Sequence, residues 1–163
     1  MSGSISDVTA TPHAPSLTFL ARLEVEVAKP IDLGVVAGEH RRIVPILGGT
    51  VRGPEISGTV LEGGADFQVL HSDGRQLLEA KYGFVTDDGV HLYVENHGMR
   101  AGSADDMARI VRGEPVDPAR IYFRSQPQLF APAGPWEWLN SRLFVGAGER
   151  HPDRVRLDVF VVD

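Results

Sequence analysis

The 163-residue chain has no cysteine, so it can hold no disulfide, no thiolate nucleophile and no cysteine-bound zinc. Nothing in it asks for an oxidising compartment, and the cytoplasm is the expected location. It also lacks an excess of positive charge. A net charge of -6 and a pI near 5.5 argue against a partner held through its phosphates, which requires a basic face, so nucleic acid is not expected. No segment approaches the roughly 18 consecutive apolar residues of a membrane span. The opening MSGSISDVTATPHAPS has neither the basic start nor the apolar run of a signal peptide or anchor, and no membrane association is expected.

Metal and cofactor motifs are missing as well. The six histidines, His13, His40, His71, His91, His97 and His151, show neither H-x-H nor H-E-x-x-H spacing, so no metal is expected. Gly48, Gly49, Gly53, Gly63 and Gly64 match neither G-x-G-x-x-G nor a Walker loop, and no helix follows them. They are read as makers of turns and bulges, and no cofactor is expected. Ser57, Ser125 and Ser141 stand outside any G-x-S-x-G context, which leaves a hydrolase triad unsupported.

What is present is a turn-rich globular composition: 42% hydrophobic and 23% charged residues with 18 Gly and 11 Pro. The length suits one domain with its own core. Residues 1–15 are small, polar and proline-containing and read as a tail, leaving 16–163 as the domain. Leu17 to Val27 alternates with Leu17, Phe19, Ala21, Leu23, Val25 and Val27 on one face, the period of a half-buried strand. Ile31 to Ala37 and Arg41 to Ile46 follow as strands. Ile56 to Leu61 and Ala65 to Leu70 flank Gly63-Gly64 and are expected to be neighbours. Asp73-Gly74 and Asp88-Gly89 predict two-residue hairpins, because both residue types tolerate the positive φ of a type I′ turn. Between them runs a strand over Gln76 to Thr86, and Val90 to Asn96 returns beside it before His97-Gly98.

One helix is predicted over Ser103 to Arg112, with Ser103 as N-cap, Asp105 and Asp106 at the positive end, Arg109 and Arg112 at the negative end, and Gly113 beyond. Ile121 to Phe130 resumes β structure, with Pro127 marking an edge, bulge or bend. Pro135 to Ser141 is a helical turn, and Leu143 to Ala147 and Val155 to Val162 close the chain. About eight to ten short strands, one short helix and no βα alternation favour an all-β fold, a closed antiparallel β-barrel. A barrel of about eight strands is just wide enough to hold one small ligand.

The segments RRIVPILGGTVRGP, GGADFQ, AKY, DDG, YFR, WEWLN and FVGAGER, in that order, resemble the bacterial and fungal family of unknown function DUF3237, also catalogued as UPF0311. The resemblance runs from about Leu17 to Val162. It implies a small antiparallel barrel with a central cavity, similar to allene oxide cyclase and dirigent barrels, commonly assembled as a homo-oligomer. It also implies cofactor-free cyclisation or isomerisation of small organic molecules. Phe67 stands where the family often shows Trp and Lys81 where Arg is common, which bears on substrate shape.

Several polar residues interrupt strand runs that a purely structural barrel would keep apolar. Asp66 and Gln68 share one face. If that face looks into the cavity, Asp66 is desolvated and suited to proton transfer; otherwise it accepts backbone N–H bonds in the GGAD turn. Glu79 and Lys81 occupy one face of their strand and Tyr82 the other, and only one set can face inward. The usual solvation of a charged pair favours Tyr82. Arg124 is either a clamp on a substrate oxyanion or one half of a salt bridge with Asp66 or Glu79. Trp136 and Trp138 are either a ligand wall or a core plug. His40 and His97 draw attention because each adjoins one of the quoted motifs.

The expected function is therefore a cofactor-independent lyase, isomerase or cyclase acting on a small aromatic or polyketide-like substrate. Asp66, Tyr82 and Arg124 are the candidate catalytic residues, and Arg42, Gln68, Glu79, Asn96 and Trp138 the candidate substrate contacts. The alternative is a non-catalytic barrel that binds a small molecule. Parity decides between the sets, since a one-residue slip exchanges Asp66 with Phe67 and Tyr82 with Lys81.

Overall fold

The structure, a computed structural model, describes residues 11–163. Of the expected tail, residues 1–10 lie outside the described residues, and 11–15 are exposed without regular structure. The strands are β1 (Leu17–Val27), β2 (Ile31–Val36), β3 (Glu39–Arg52), β4 (Ser57–Val60), β5 (Ala65–Leu70), β6 (Gln76–Thr86), β7 (His91–Ala101), β8 (Tyr122–Phe130), β9 (Phe144–Arg150) and β10 (Arg154–Val162). Helix α1 (Ala104–Val111) and two 3-10 turns, Pro118–Arg120 and Glu137–Ser141, complete them.

All pairings are antiparallel. Strands β1, β10, β9, β8, β7 and β6 follow one another; β6 pairs with β4 and β5, both of these pair with β3, and β3 returns to β1. The wall closes as a barrel of eight staves, with β4 and β5 sharing one stave and β2 added along β3. The sequence predicts that β4 and β5 pair with each other; instead they lie end to end. Gly64 makes that jog possible, because a Cβ there would lie 2.5 Å from both the Lys81 carbonyl oxygen and the Tyr82 Cβ.

Four further local expectations change. A bulge between Phe19 and Ala21 shifts the β1 register against β10, so Leu17 and Phe19 turn outward and Leu20 enters the core. Gly48-Gly49 bends β3 without ending it: Gly49 has φ +138, and a Cβ on it would sit 1.9 Å from the Glu24 carbonyl oxygen of β1. Both Asp-Gly hairpins have three-residue loops. In each the glycine alone takes positive φ, Gly74 at 89° and Gly89 at 88°, and its N–H bonds back to His71 or Thr86. The two-residue turn falls instead at Ala37-Gly38, with φ of 51° and 84°.

Helix α1 forms where its caps require, with the Ser103 hydroxyl accepting from Asp106 N at 3.1 Å. Pro127 lies beyond the short β8–β9 ladder, which is confined to Arg124 and Ser125, so its missing N–H breaks no pairing there. One half of the barrel is filled by Val51, Ile56, Phe84, Val94, Leu139 and Val159, each almost wholly buried. Burying such an aliphatic or aromatic side chain contributes roughly 1.5–3 kcal/mol. The other half is covered by α1, which buries Met107 and Ile110. There Arg42 donates to Val111 O at 3.3 Å and Arg150 to Glu114 O at 2.6 Å, placing two cations at the negative end of the helix.

Candidate active site in the barrel cavity

The half of the barrel beneath α1 is not filled. It encloses a cavity of about 400 Å³ with apolar walls from Val25, Val44, Ile46, Leu78 and Leu157. Its mouth lies among Lys29, Pro30, Arg112, His151 and Asp153. Strand parity puts Asp66 and Gln68 of β5, Tyr82 of β6, and Asn96 and Arg100 of β7 on the inner surface, with Arg42 of β3 beside Gln68 and Arg150 of β9 near the helix end.

These groups are connected. Gln68 Oε1 accepts from Arg42 Nη2 at 2.7 Å and Nε at 3.1 Å, and Gln68 Nε2 donates to Asp66 Oδ2 at 2.7 Å. The other carboxylate oxygen, Asp66 Oδ1, accepts from the Glu79 backbone N at 3.0 Å. Asp66 therefore lines the cavity, and the backbone N–H it accepts comes from Glu79 across the sheet on β6, not from the GGAD turn. The residue is half-buried there. Burial pushes its pKa above the ordinary carboxylate value, opposed by the bond from Gln68, the charge of Arg100, the Glu79 N–H and the charge of Arg42. A carboxyl whose pKa is raised by desolvation holds its proton more tightly than an ordinary one, which suits it to proton transfer.

Tyr82 is 5% exposed, and burial followed by the Asp66 charge pushes its phenol upward, so it stays protonated and can donate. Asn96 Oδ1 is buried with no hydrogen-bond partner among the described residues. Desolvation lowers the pKa of Arg42, Arg100 and Arg150, that of Arg100 to about 10.

Three expected site residues lie elsewhere. Arg124 is on the outer wall, where it lies over the Tyr122 ring at 5.5 Å and donates to Phe123 O at 2.8 Å; neither Asp66 nor Glu79 is its partner. Its neighbour Phe123 takes the inner face, so the parity of β8 excludes Arg124 from the cavity. The Glu79 side chain also points outward and pairs with Lys81 Nζ at 3.5 Å, contributing only its backbone N–H to the site. Trp138 belongs to the turn Glu137–Ser141 and packs with Trp136 against the filled half of the core, as the plug reading had it. His40 pairs with Asp32 at 2.8 Å on the β2–β3 hairpin, and His97 lies on the outer wall.

The sequence reading missed Arg100 and Arg150. It ended their strands at Asn96 and Ala147, whereas β7 runs to Ala101 and β9 to Arg150. Carrying the alternation of Asn96 through Gly98 puts Arg100 on the same inner face, and Gly146, Gly148 and Arg150 follow the same rule in β9. No group of three or more His, Asp or Glu side chains placed to hold a metal occurs among the described residues, and no helix among them is long and apolar enough to cross a membrane.

A closed antiparallel barrel with a covered, apolar-walled cavity that carries a polar cluster on its inner surface is the class this geometry defines. Within it, the chain belongs to the family described as a protein of unknown function, DUF3237, whose model matches residues 15–162. A UPF0311 protein of Rhodopseudomonas palustris is 49% identical over 146 residues, spanning 89% of this chain and 92% of the relative. The crystal structure of a conserved protein of unknown function from that organism has a TM-score of 0.90 at 43% identity, covering 94% of this chain and all of that one (100%). A beta-barrel like protein of Acinetobacter baumannii has a TM-score of 0.81 at 33% identity over 94% of this chain and 99% of its own. A more distant structure, described as an enzyme from Penicillium herquei, has a TM-score of 0.71 at 18% identity over 96% and 100%, a likeness of fold alone.

Proposed function

We propose that this protein is a cofactor-independent lyase, isomerase or cyclase that acts on a small aromatic or polyketide-like molecule by acid/base chemistry inside the barrel. The observation that carries this reading is the Asp66 carboxyl in a covered cavity, held by Gln68 and the Glu79 N–H, with the Tyr82 phenol nearby. Asp66 takes a proton from carbon or oxygen next to a carbonyl, and Tyr82 donates a hydrogen bond to the oxygen on which charge develops. The proton then returns from Asp66 to a different atom, so atoms and charge balance without an external reagent. The cavity contributes by excluding water and fixing one substrate conformation. That the P. herquei neighbour is called an enzyme is support at the level of fold.

Leu17, Phe19, Leu77, Tyr122 and Phe130 are exposed on the outer wall, and the reading extends to a homo-oligomer that covers them. The test of the chemistry is exchange of solvent deuterium into a panel of aromatic ketones beginning with 2-tetralone, followed by NMR. The reading expects exchange above background, slower in Tyr82→Phe and unchanged in Arg124→Ala. Tight retention of panel members with no exchange in any of them would make the barrel a carrier and sink the catalytic reading.

A further inference from the structure

The buried charges of the cavity do not balance. Arg42, Arg100 and Arg150 face it from three strands, and among the described residues the carboxylates lining it are Asp66 on the inner wall and Asp153 at the mouth. Two of the guanidiniums are occupied. Arg42 gives its protons to Gln68 Oε1 and Val111 O, and Arg150 to Glu114 O and Ile110 O. Arg100 is different. It is 3% exposed, its guanidinium lies over the Phe123 ring at 5.4 Å, and its Nε has no hydrogen-bond partner among the described residues. The charges that act on it most are Asp66, which favours its ionised form, and Arg42 and Arg150, which oppose it.

A buried guanidinium without acceptors is costly, and a charged acceptor offsets that cost best when it meets the planar N–H fork. Phe123 already covers one face of the fork, and Arg100 lines the same cavity as Leu78, Val44 and Asp66, the carboxylate whose charge acts on it most. An anion placed there also neutralises the repulsion among the three arginines, which no neutral ligand does.

We infer that the cavity takes a small organic monoanion, a carboxylate or a delocalised phenolate or enolate, with its oxygen on Arg100 and its apolar body against Val25, Val44 and Leu157. This rests on the reading of the cavity as the substrate chamber and names the class of substrate. The size agrees: about 400 Å³ holds one or two fused rings bearing a single anionic group. The anion lies on the same wall as Asp66, so Asp66 and the ionised end of the ligand sit together, and each disfavours ionisation of the other.

Isothermal titration of the full chain with 2-naphthoate, 2-naphthamide and benzoate tests this. The inference predicts that 2-naphthoate binds at least about tenfold more tightly than 2-naphthamide, the scale of a charge-assisted hydrogen bond. The preference should fall to within about twofold in Arg100→Met and survive in part in Arg100→Lys. Circular dichroism and melting confirm that each variant is folded. If Arg100→Met does not fold, the Arg100 Nε–H resonance of the unaltered protein replaces it, and 2-naphthoate must shift it while 2-naphthamide does not. Equal affinity for acid and amide, an anion preference that persists in folded Arg100→Met, or no binding of either anion overturns the inference. These are binding measurements, so their failure is separate from that of the catalytic reading, which is decided by exchange alone.

Discussion

Gln68 Nε2 donates to Asp66 Oδ2 at 2.7 Å while its own carbonyl oxygen holds the buried guanidinium of Arg42. The amide is thereby fixed in one orientation, since a flip would set an N–H against Arg42 and an oxygen against the carboxylate. This bridge couples the acid of the cavity to the cation that ties down the end of α1.

Replacing Gln68 by Leu removes its three side-chain bonds, two from Arg42 and one to Asp66, at a position 4% exposed. The expected cost is about 1–3 kcal/mol, because two buried charged groups lose a partner. The Gln68 bond lowers the Asp66 pKa, so the variant should also titrate Asp66 at higher pH than the unaltered protein does. Urea denaturation gives the first quantity and carbon NMR of the Asp66 carboxyl the second. An unchanged titration would show that the bridge does not tune the acid.

Asp66 also has a pH signature in stability. Its folded pKa lies above the ordinary value, chiefly from burial. The folded state therefore binds the proton more tightly than the unfolded chain does. The stability linked to this group is fully present below the ordinary carboxylate pKa and is lost as pH rises through the raised value. Asp66→Asn removes that dependence. The difference in unfolding free energy between the two proteins should change with pH across this window, in favour of the variant at the upper end. A difference independent of pH would place the carboxyl in ordinary solvent.

Gly49 is where β3 passes closest to β1. A side chain there meets both a φ of +138° and a backbone oxygen at 1.9 Å. Gly49→Ala should cost roughly 2–4 kcal/mol, read from the denaturation midpoint. At Gly63 the φ is also positive, +112°, but nothing lies within 4 Å of the added carbon. Gly63→Ala should cost only the backbone strain, roughly 1–3 kcal/mol. Equal effects would mean that the approach of β3 to β1 is not the constraint.

Much of this architecture is legible in residue order. Alternation places β1, β6 and the inner face of β5, and the Ser103 cap and Gly113 delimit α1. The cavity positions of Asp66, Gln68, Tyr82 and Asn96 follow once the inner face of each strand is chosen. What sequence alone does not carry is register between distant strands. The bulge at Phe19–Ala21 depends on β10, which pairs with β1 from the far end of the chain. Whether Phe123 or Arg124 faces inward depends on β7 and β9, and an arginine in mid-strand suits either side. Arg100 is missed for a local reason: Gly98 reads as a strand end, yet its lack of a Cβ accommodates Ser125, whose Cβ would lie 3.0 Å from it, and the strand runs on.

The central claim is that Asp66 exchanges protons with a ligand held in the cavity. The rate of solvent deuterium incorporation into 2-tetralone, followed against pH for the unaltered protein and for Asp66→Asn, tests it most directly. The account predicts a rate limb governed by a group whose pKa lies above the ordinary Asp value, and its disappearance in Asp66→Asn with a loss of at least about a hundredfold. Equal rates and the same pH profile in a folded Asp66→Asn would contradict it.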